Sequence, residues 1–436
     1  MRFYIEGGHP LHGTYTPQGA KNEALQVIAA ALLTDAPVIL EGLPDILDVR
    51  KQLELVAYLG ASVAWEDSHR VRIHAQELHP EALLTAEGGH LFRSLRGSVL
   101  VVGPLLARYG KAYFPRPGGD KIGRRRIDTH LWGFEKLGAA ISYDERKEIY
   151  YLTAPGRLRG ASILLEEASV TGTANLLMAA ALAEGETILY HAACEPYIQQ
   201  LGKLLQSMGA TLEGVGTNRI RLQGTARLQG AHHTLLPDVI EIGSIVALSA
   251  MTQSPLRISD PPREHLEPIL RPFHLMGIPT CYQDGFLEVH PPAIYEPDLW
   301  EKGSILAISD HTWPGTPPDM LSVLLVVATQ AAGNVLIHQK MFESRLFFVD
   351  RLIEMGAQIV LCDPHRALVM GMGRRAALRG IRMSSPDIRA GMALLIAALS
   401  AEGTSIIEQA EQIERGYEKL DERLRSLGAH IWRENS

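Results

Sequence analysis

The positions with the most chemical potential in this sequence are cations standing where a helix is about to begin. Lys21 lies in "GAKNEA", Arg96 in "SLRGSV" and Arg389 in "SPDIRAG", each just ahead of an apolar run. A helix start carries partial positive charge, so a cation there costs roughly a few tenths of a kcal/mol unless an anion is shared. Three such placements predict an anion site, helped by helix N-termini and lying between two lobes. Arg124, Arg125 and Arg126 in "IGRRRID", Arg345 in "FESRLF" and Arg415 in "IERGYEKL" add cations at the starts of other helices. Clustered Lys and Arg suit an anionic ligand, which Arg can bind bidentately. Pro-Asp pairs end at Asp238, Asp319 and Asp387, and as a set these aspartates read as helix caps. The stretch "PRPGGDKIGRRR" puts a stiff turn, two glycines, one acid and several bases together. It reads as a solvated loop or as a lid over an anionic substrate.

The elements that position these residues follow from a repeat. A helix ending in Leu/Met-Gly before a short strand recurs in "LELVAYLGASV", "GFEKLGAAI", "LGKLLQSMGATL", "FHLMGIPT", "RLIEMGAQIV" and "LRSLGAHI". The glycines are Gly60, Gly138, Gly209, Gly277, Gly356 and Gly428, each where a helix end needs a left-handed residue. These helices are amphipathic: Ile198, Leu201, Leu205 and Met208 share a face, as do Tyr417, Leu420, Leu424 and Leu427. A second kind of helix precedes each one, as in "NLLMAAALAEG" and "SIVALSAMTQSP", and is apolar nearly all round, so it must be buried. Leu-x-Gly segments at Leu11, Leu158, Leu228 and Leu378 read as hairpin-like. The expectation is an α/β fold of six repeated units in two lobes, with strands covering buried helices. Residues 21–235 form one lobe, carrying the loop 113–127, and residues 1–20 with 236–436 form the other, with "HHTLLPD" as the crossing.

Bulk properties remove other classes. A length of 436 residues favours two domains, and a net charge of −7 argues against a general nucleic-acid or membrane-surface binder. Three distant cysteines, Cys194, Cys281 and Cys362, offer no disulfide framework and no zinc spacing; Cys281 and Cys362 lie in apolar runs and read as core. His232 and His233 read as exposed linker. "MRFYIEGG" reads as a strand rather than a leader, and no apolar run reaches the roughly 18 residues of a membrane span. A soluble, cytoplasmic protein is expected, monomeric or weakly homo-oligomeric. "GMGRRA" matches a dinucleotide fingerprint but precedes a strand-like "ALRGIRM", so it is set aside.

The repeat, with "GAKNEAL", "PGGDKIGRRRIDTH", "PPDM", "SPDIRAG" and "ERGYEKL", resembles the enolpyruvyl transferases, and most nearly their UDP-sugar branch. The resemblance implies a two-domain inside-out α/β barrel of the EPSP synthase type, each lobe three units about a pseudo-threefold axis. It implies transfer of the enolpyruvyl group of phosphoenolpyruvate to the 3-hydroxyl of UDP-N-acetylglucosamine with release of phosphate, without metal or organic cofactor. Lys21, Arg125 and Arg415 match residues that grip phosphoenolpyruvate, and Arg96 and Arg389 match supporting cations. Asn22 matches a sugar-contacting asparagine, and Asp319 the carboxylate near the attacking hydroxyl. Arg125, Asp128, Ser169 and Val170 match the surroundings of the UDP, with Arg96, Arg126, Ile127 and Met341 placed beside them. His130 matches a histidine at the lid hinge, and Arg345 and Asp387 are supporting.

The chain departs from the family pattern at Asp120, where most members have a cysteine proposed to protonate the methylene carbon and alkylated by fosfomycin. Aspartate keeps proton chemistry and resists alkylation. A free aspartate titrates at about 3.9, so Asp120 must have its pKa raised when substrate binds if it is the acid. Arg126 stands where a proline is usual, Glu167 and Ala168 replace a lysine or proline, "SVTGTAN" reorders the usual loop and Val239 replaces an arginine. Two alternatives stay open: an acceptor such as a nucleoside monophosphate, and a non-catalytic paralogue that binds the ligand.

Overall fold

All six repeat glycines close a helix with a left-handed backbone, φ lying between 84° and 112°. An L side chain is strained there, which is why the motif keeps glycine. The structure is a computed structural model that describes residues 1–119, 126–299, 301, 303–342 and 345–434. The helices ahead of each glycine, such as Pro196–Ser207, bury one face, including Ile198, Leu201 and Leu205.

The other helix of each unit is buried nearly all round, save that Val102–Tyr109 leaves Ala107, Arg108 and Tyr109 partly exposed. These helices are Lys21–Ala30, Val102–Tyr109, Val170–Ala181, Val239–Thr252, Leu321–Ala328 and Ile388–Ser400. In Val239–Thr252 every residue but the last is buried. Asp238 starts that helix by accepting hydrogen bonds from the Ile240 and Glu241 amides, and Asp387 does the same for Arg389 and Ala390. A Cβ at Gly243 would collide with Met320, so the glycine lets the next element approach closely.

The chain divides into two compact units, residues 1–18 with 237–434 and residues 19–119 with 126–236. Each has its own apolar core. In the first unit, helices Val239–Thr252, Leu321–Ala328 and Ile388–Ser400 pack pairwise. Among the described residues, three four-stranded sheets belong to this unit. Its first strand, Arg2–Glu6, is inserted between Thr404–Glu408 and His430–Glu434, pairing antiparallel with both. The second unit has two four-stranded sheets and one of three strands among the described residues. Three of the units share one plan, seen at Ser162–Leu164: a short edge strand, a buried helix, then a strand parallel to the edge strand, here Glu186–Tyr190. Parallel neighbours need such a crossover, and here the buried helix supplies it. No helix of the described residues is long and apolar enough to cross a membrane.

Three expectations are corrected. The Leu-x-Gly segments are not hairpins: they lead into the parallel edge strands Thr14–Tyr15, Ser162–Leu164, Ala231–Thr234 and Arg382–Ser384, with the leucines buried as plugs. Cys281 and Cys362 are exposed, and Cys194 is only half-buried, so none is a core residue. Both exposed thiols sit on outermost strands: alternation in Thr280–Gln283 turns Cys281 outward, whereas in Ile359–Asp363 Val360, Leu361 and Cys362 are all exposed, beside a register shift between Leu361 and Asp363. His232 and His233 are strand residues, not linker; His233 is buried 2.8 Å from Glu23, and His232 lies 3.0 Å from Glu41.

One buried acid couples this fold to pH. Burial pushes the Glu195 carboxyl up to about 7 against the pull of its backbone hydrogen bonds, and its Oε2 has no hydrogen-bond partner among the described residues. A raised acid stabilises the native state below the unfolded value, here 4.5, and that contribution is lost as pH rises to about 7. Glu195→Gln should therefore gain stability relative to the parent between pH 5 and 8, by roughly 3 kcal/mol at most, in urea unfolding. A pH-independent difference would contradict this.

Candidate active site

In the unit built from residues 1–18 and 237–434, Asp319 departs from its two Pro-Asp counterparts. It makes no cap; it lies inside the 3-10 turn Pro318–Met320, and its carboxylate is shared by two arginines. Arg345 Nη2 donates to Oδ1 at 2.7 Å, and Arg389 Nε donates to Oδ2 at 3.1 Å. Both arginines are buried, at 7% exposure, whereas Asp319 remains partly open. Burial alone would lower the Arg389 pKa; the Asp319 charge, together with Tyr417 and Asp238, outweighs it and holds the guanidinium above its usual value. Arg389 Nη1 also donates to the Tyr417 hydroxyl at 3.2 Å, and that hydroxyl lies 3.1 Å from Ser244 Oγ. Arg415 donates to Gln412 at 3.0 Å from the turn that ends in Tyr417.

In the other unit, Lys21 is the first residue of its helix and pairs with Asp48 at 2.7 Å, both nearly fully buried. The anions demanded by these helix-start cations thus include carboxylates of the protein itself, Asp48 for Lys21 and Asp319 for Arg389. Asn22 follows, half-buried. Arg96 donates to the Arg126 carbonyl at 3.0 Å, and Arg126 pairs with Asp128 while lying over the Trp132 ring. Ile127 is buried between them in sequence. Ser169 caps the helix Val170–Ala181 through the Gly172 amide.

His130 has a defined proton. Burial, with help from the Arg96 charge, lowers its pKa to about 3, so the ring is neutral. Asn175 Oδ1 accepts from the Gly103 amide, which directs Nδ2 toward the Val99 carbonyl and His130 Nδ1. His130 Nδ1 therefore accepts, and Nε2 carries the proton toward Thr171 Oγ1 at 3.1 Å.

The structure brings together Asp319, Arg345 and Arg389 in one unit, and Arg96, Arg126 and Asp128 in the other. Met341 stands apart, exposed, its amide donating to Asp310 at 3.2 Å. Asp120, Arg124 and Arg125 lie outside the described residues. Sequence reasoning missed Asp48, Tyr417 as a partner of Arg389, and Asn175. Only Tyr417 left a signal, as a tyrosine inside the quoted "ERGYEKL".

Among the described residues, two surface groups have ligand atoms close enough for one metal ion: Glu6, His9 and His430, and Cys281, Glu288 and His290. Neither is arranged for it. The His9 and His430 rings stack at 3.6 Å with nearly parallel planes, and Glu288 is engaged by Arg257 at 3.1 Å. "GMGRRA" opens no helix; a turn and then the strand Arg382–Ser384 follow it.

The EPSP synthase (3-phosphoshikimate 1-carboxyvinyltransferase) family model matches residues 5–424. The chain belongs to this family. Over 431 residues it is 54% identical to a UDP-N-acetylglucosamine 1-carboxyvinyltransferase of Porphyromonas gingivalis, covering 99% of each chain. An enzyme of the same name from Bradyrhizobium diazoefficiens is 47% identical over 436 residues, covering 99% of this chain and 98% of its own. Among solved structures, the enolpyruvyl transferase NikO from Streptomyces tendae superposes with a TM-score of 0.85 at 22% identity, covering 99% and 98%. The EPSP synthase from Acinetobacter baumannii gives 0.71 at 18%, covering 99% of each. The fold is thus the two-domain α/β fold of the enolpyruvyl transferases.

Within that family fold, Asp319 is the carboxylate that two buried arginines share. Asp319→Ala leaves two buried guanidinium groups without their shared anion and should cost about 3–5 kcal/mol in urea unfolding. A loss below about 1 kcal/mol would show that the pair is not what holds this region.

Proposed function

We propose that the chain transfers the enolpyruvyl group of phosphoenolpyruvate to the 3-hydroxyl of UDP-N-acetylglucosamine, releasing phosphate, at the first committed step of peptidoglycan synthesis. The observation that carries this is the 54% identity, over nearly the whole of both chains, to an enzyme of that name. The reaction is addition followed by elimination. The hydroxyl oxygen bonds to C2 of phosphoenolpyruvate while C3 gains a proton; C3 then gives up a proton as the C2–O bond to phosphate breaks.

Asp319 accepts the hydroxyl proton, a role worth roughly 10²–10⁴-fold for a positioned base. Two arginines hold its carboxylate in place, and its partial exposure is consistent with access by substrate. Asp120 donates to C3. Lys21, Arg96, Arg125, Arg389 and Arg415 neutralise the phosphate and carboxylate of phosphoenolpyruvate. Asn22, Arg126, Ile127, Asp128, Ser169, Val170 and Met341 contact the UDP-sugar, with His130, Arg345 and Asp387 in support. The protein works in the cytoplasm as a monomer or weak homo-oligomer. A nucleoside monophosphate acceptor is the second reading, motivated by Arg126, whose exposed guanidinium lies over Trp132 on Asp128.

Phosphate release from phosphoenolpyruvate should require UDP-N-acetylglucosamine and fail with uridine monophosphate or shikimate-3-phosphate. Release only with uridine monophosphate would favour the second reading, and none with any acceptor would sink the enzyme reading. For the proton donor, fosfomycin should leave the parent active and inactivate Asp120→Cys. Their turnover profiles should differ on the acidic limb, and coincident profiles would remove Asp120 from that role.

A further inference from the structure

Gln18 uses every part of itself in hydrogen bonding and is nearly fully buried. Its amide N–H donates to Glu241 Oε2 at 2.7 Å, and its carbonyl accepts from the Asp238 amide at 2.9 Å. Its side chain reaches across to a segment about 400 residues away in sequence. There Nε2 donates to the Gly416 carbonyl at 2.8 Å, and Oε1 accepts from the Glu418 amide at 2.7 Å. One side-chain amide thus pairs with the main chain on both sides of Tyr417, as a neighbouring strand would. The anchor beneath it is Glu241, 1% exposed, whose Oε1 also accepts from Tyr15 and Arg423, each at 2.7 Å.

The clamped segment links two of the cations assigned above. Arg415 immediately precedes it, and Tyr417 within it bonds Arg389 at 3.2 Å. Gly416 admits no side chain, because a Cβ there would collide with Ile388, the residue before Arg389. A shift of this segment therefore moves both cations.

We propose that Gln18 is a positioning residue that holds Arg389 and Arg415 in register for phosphoenolpyruvate; this rests on the function proposed above. Gln18→Met keeps the volume and both main-chain bonds but removes the two clamp bonds. It should raise KM for phosphoenolpyruvate about tenfold, the scale of one or two lost hydrogen bonds, with KM for UDP-N-acetylglucosamine within about twofold. Hydrogen exchange at the Glu418 amide should quicken in the same variant. A purely structural role would lower the active fraction, and hence apparent kcat, without moving either KM. An unchanged KM for phosphoenolpyruvate beside an active parent overturns the proposal. A parent with no turnover instead overturns the functional reading on which it stands.

Discussion

One carboxylate between two buried guanidinium groups is the constraint on which the unit of residues 1–18 and 237–434 turns. Arg345 and Arg389 are nearly excluded from water, and burying an unpaired charge is far more costly than any cap or surface pair can offset. Asp319 has to sit between them, so it cannot cap its own helix as Asp238 and Asp387 do. The short 3-10 turn Pro318–Met320, entered from Pro317, takes the place of the cap. The Tyr417 hydroxyl, itself held by Ser244, accepts from Arg389 as well, which fixes the guanidinium plane as well as its position.

The same economy recurs at Lys21, where Asp48 resolves the conflict between a cation and a helix start. In both cases a protein carboxylate holds the cation without exhausting its donors: an ammonium has three and a guanidinium five. Cations so held are preorganised, and preorganised charge is the main means by which a protein can stabilise phosphate and carboxylate groups during reaction.

Much of the fold was legible. The glycine of each Leu/Met-Gly pair is dictated by backbone sterics that depend on no distant contact, so six helix ends could be read directly. All-round apolar helices could be read as buried because no exposed helix tolerates that composition. The strands were harder. Whether a short segment after Leu-x-Gly folds back as a hairpin or runs beside a strand beyond the next helix depends on pairing across tens of residues, which local pattern does not encode. Cys281 and Cys362 looked like core because their neighbours are apolar, yet both lie on outermost strands, which expose residues whatever their polarity. In the site, residue types pointed to anion chemistry, but the division of labour among Asp238, Asp319 and Asp387 did not show, since all three follow proline. Only the partners distinguish them, and those come from Arg345 and Arg389, 26 and 70 residues further along the chain.

The central claim, enolpyruvyl transfer through protonation and deprotonation of C3, is tested most directly by running the reaction in heavy water and weighing the nucleotide sugar. The account predicts a UDP-N-acetylglucosamine product heavier by one carboxyvinyl group, with deuterium in its methylene. Phosphate released while the nucleotide sugar keeps its original mass would contradict it.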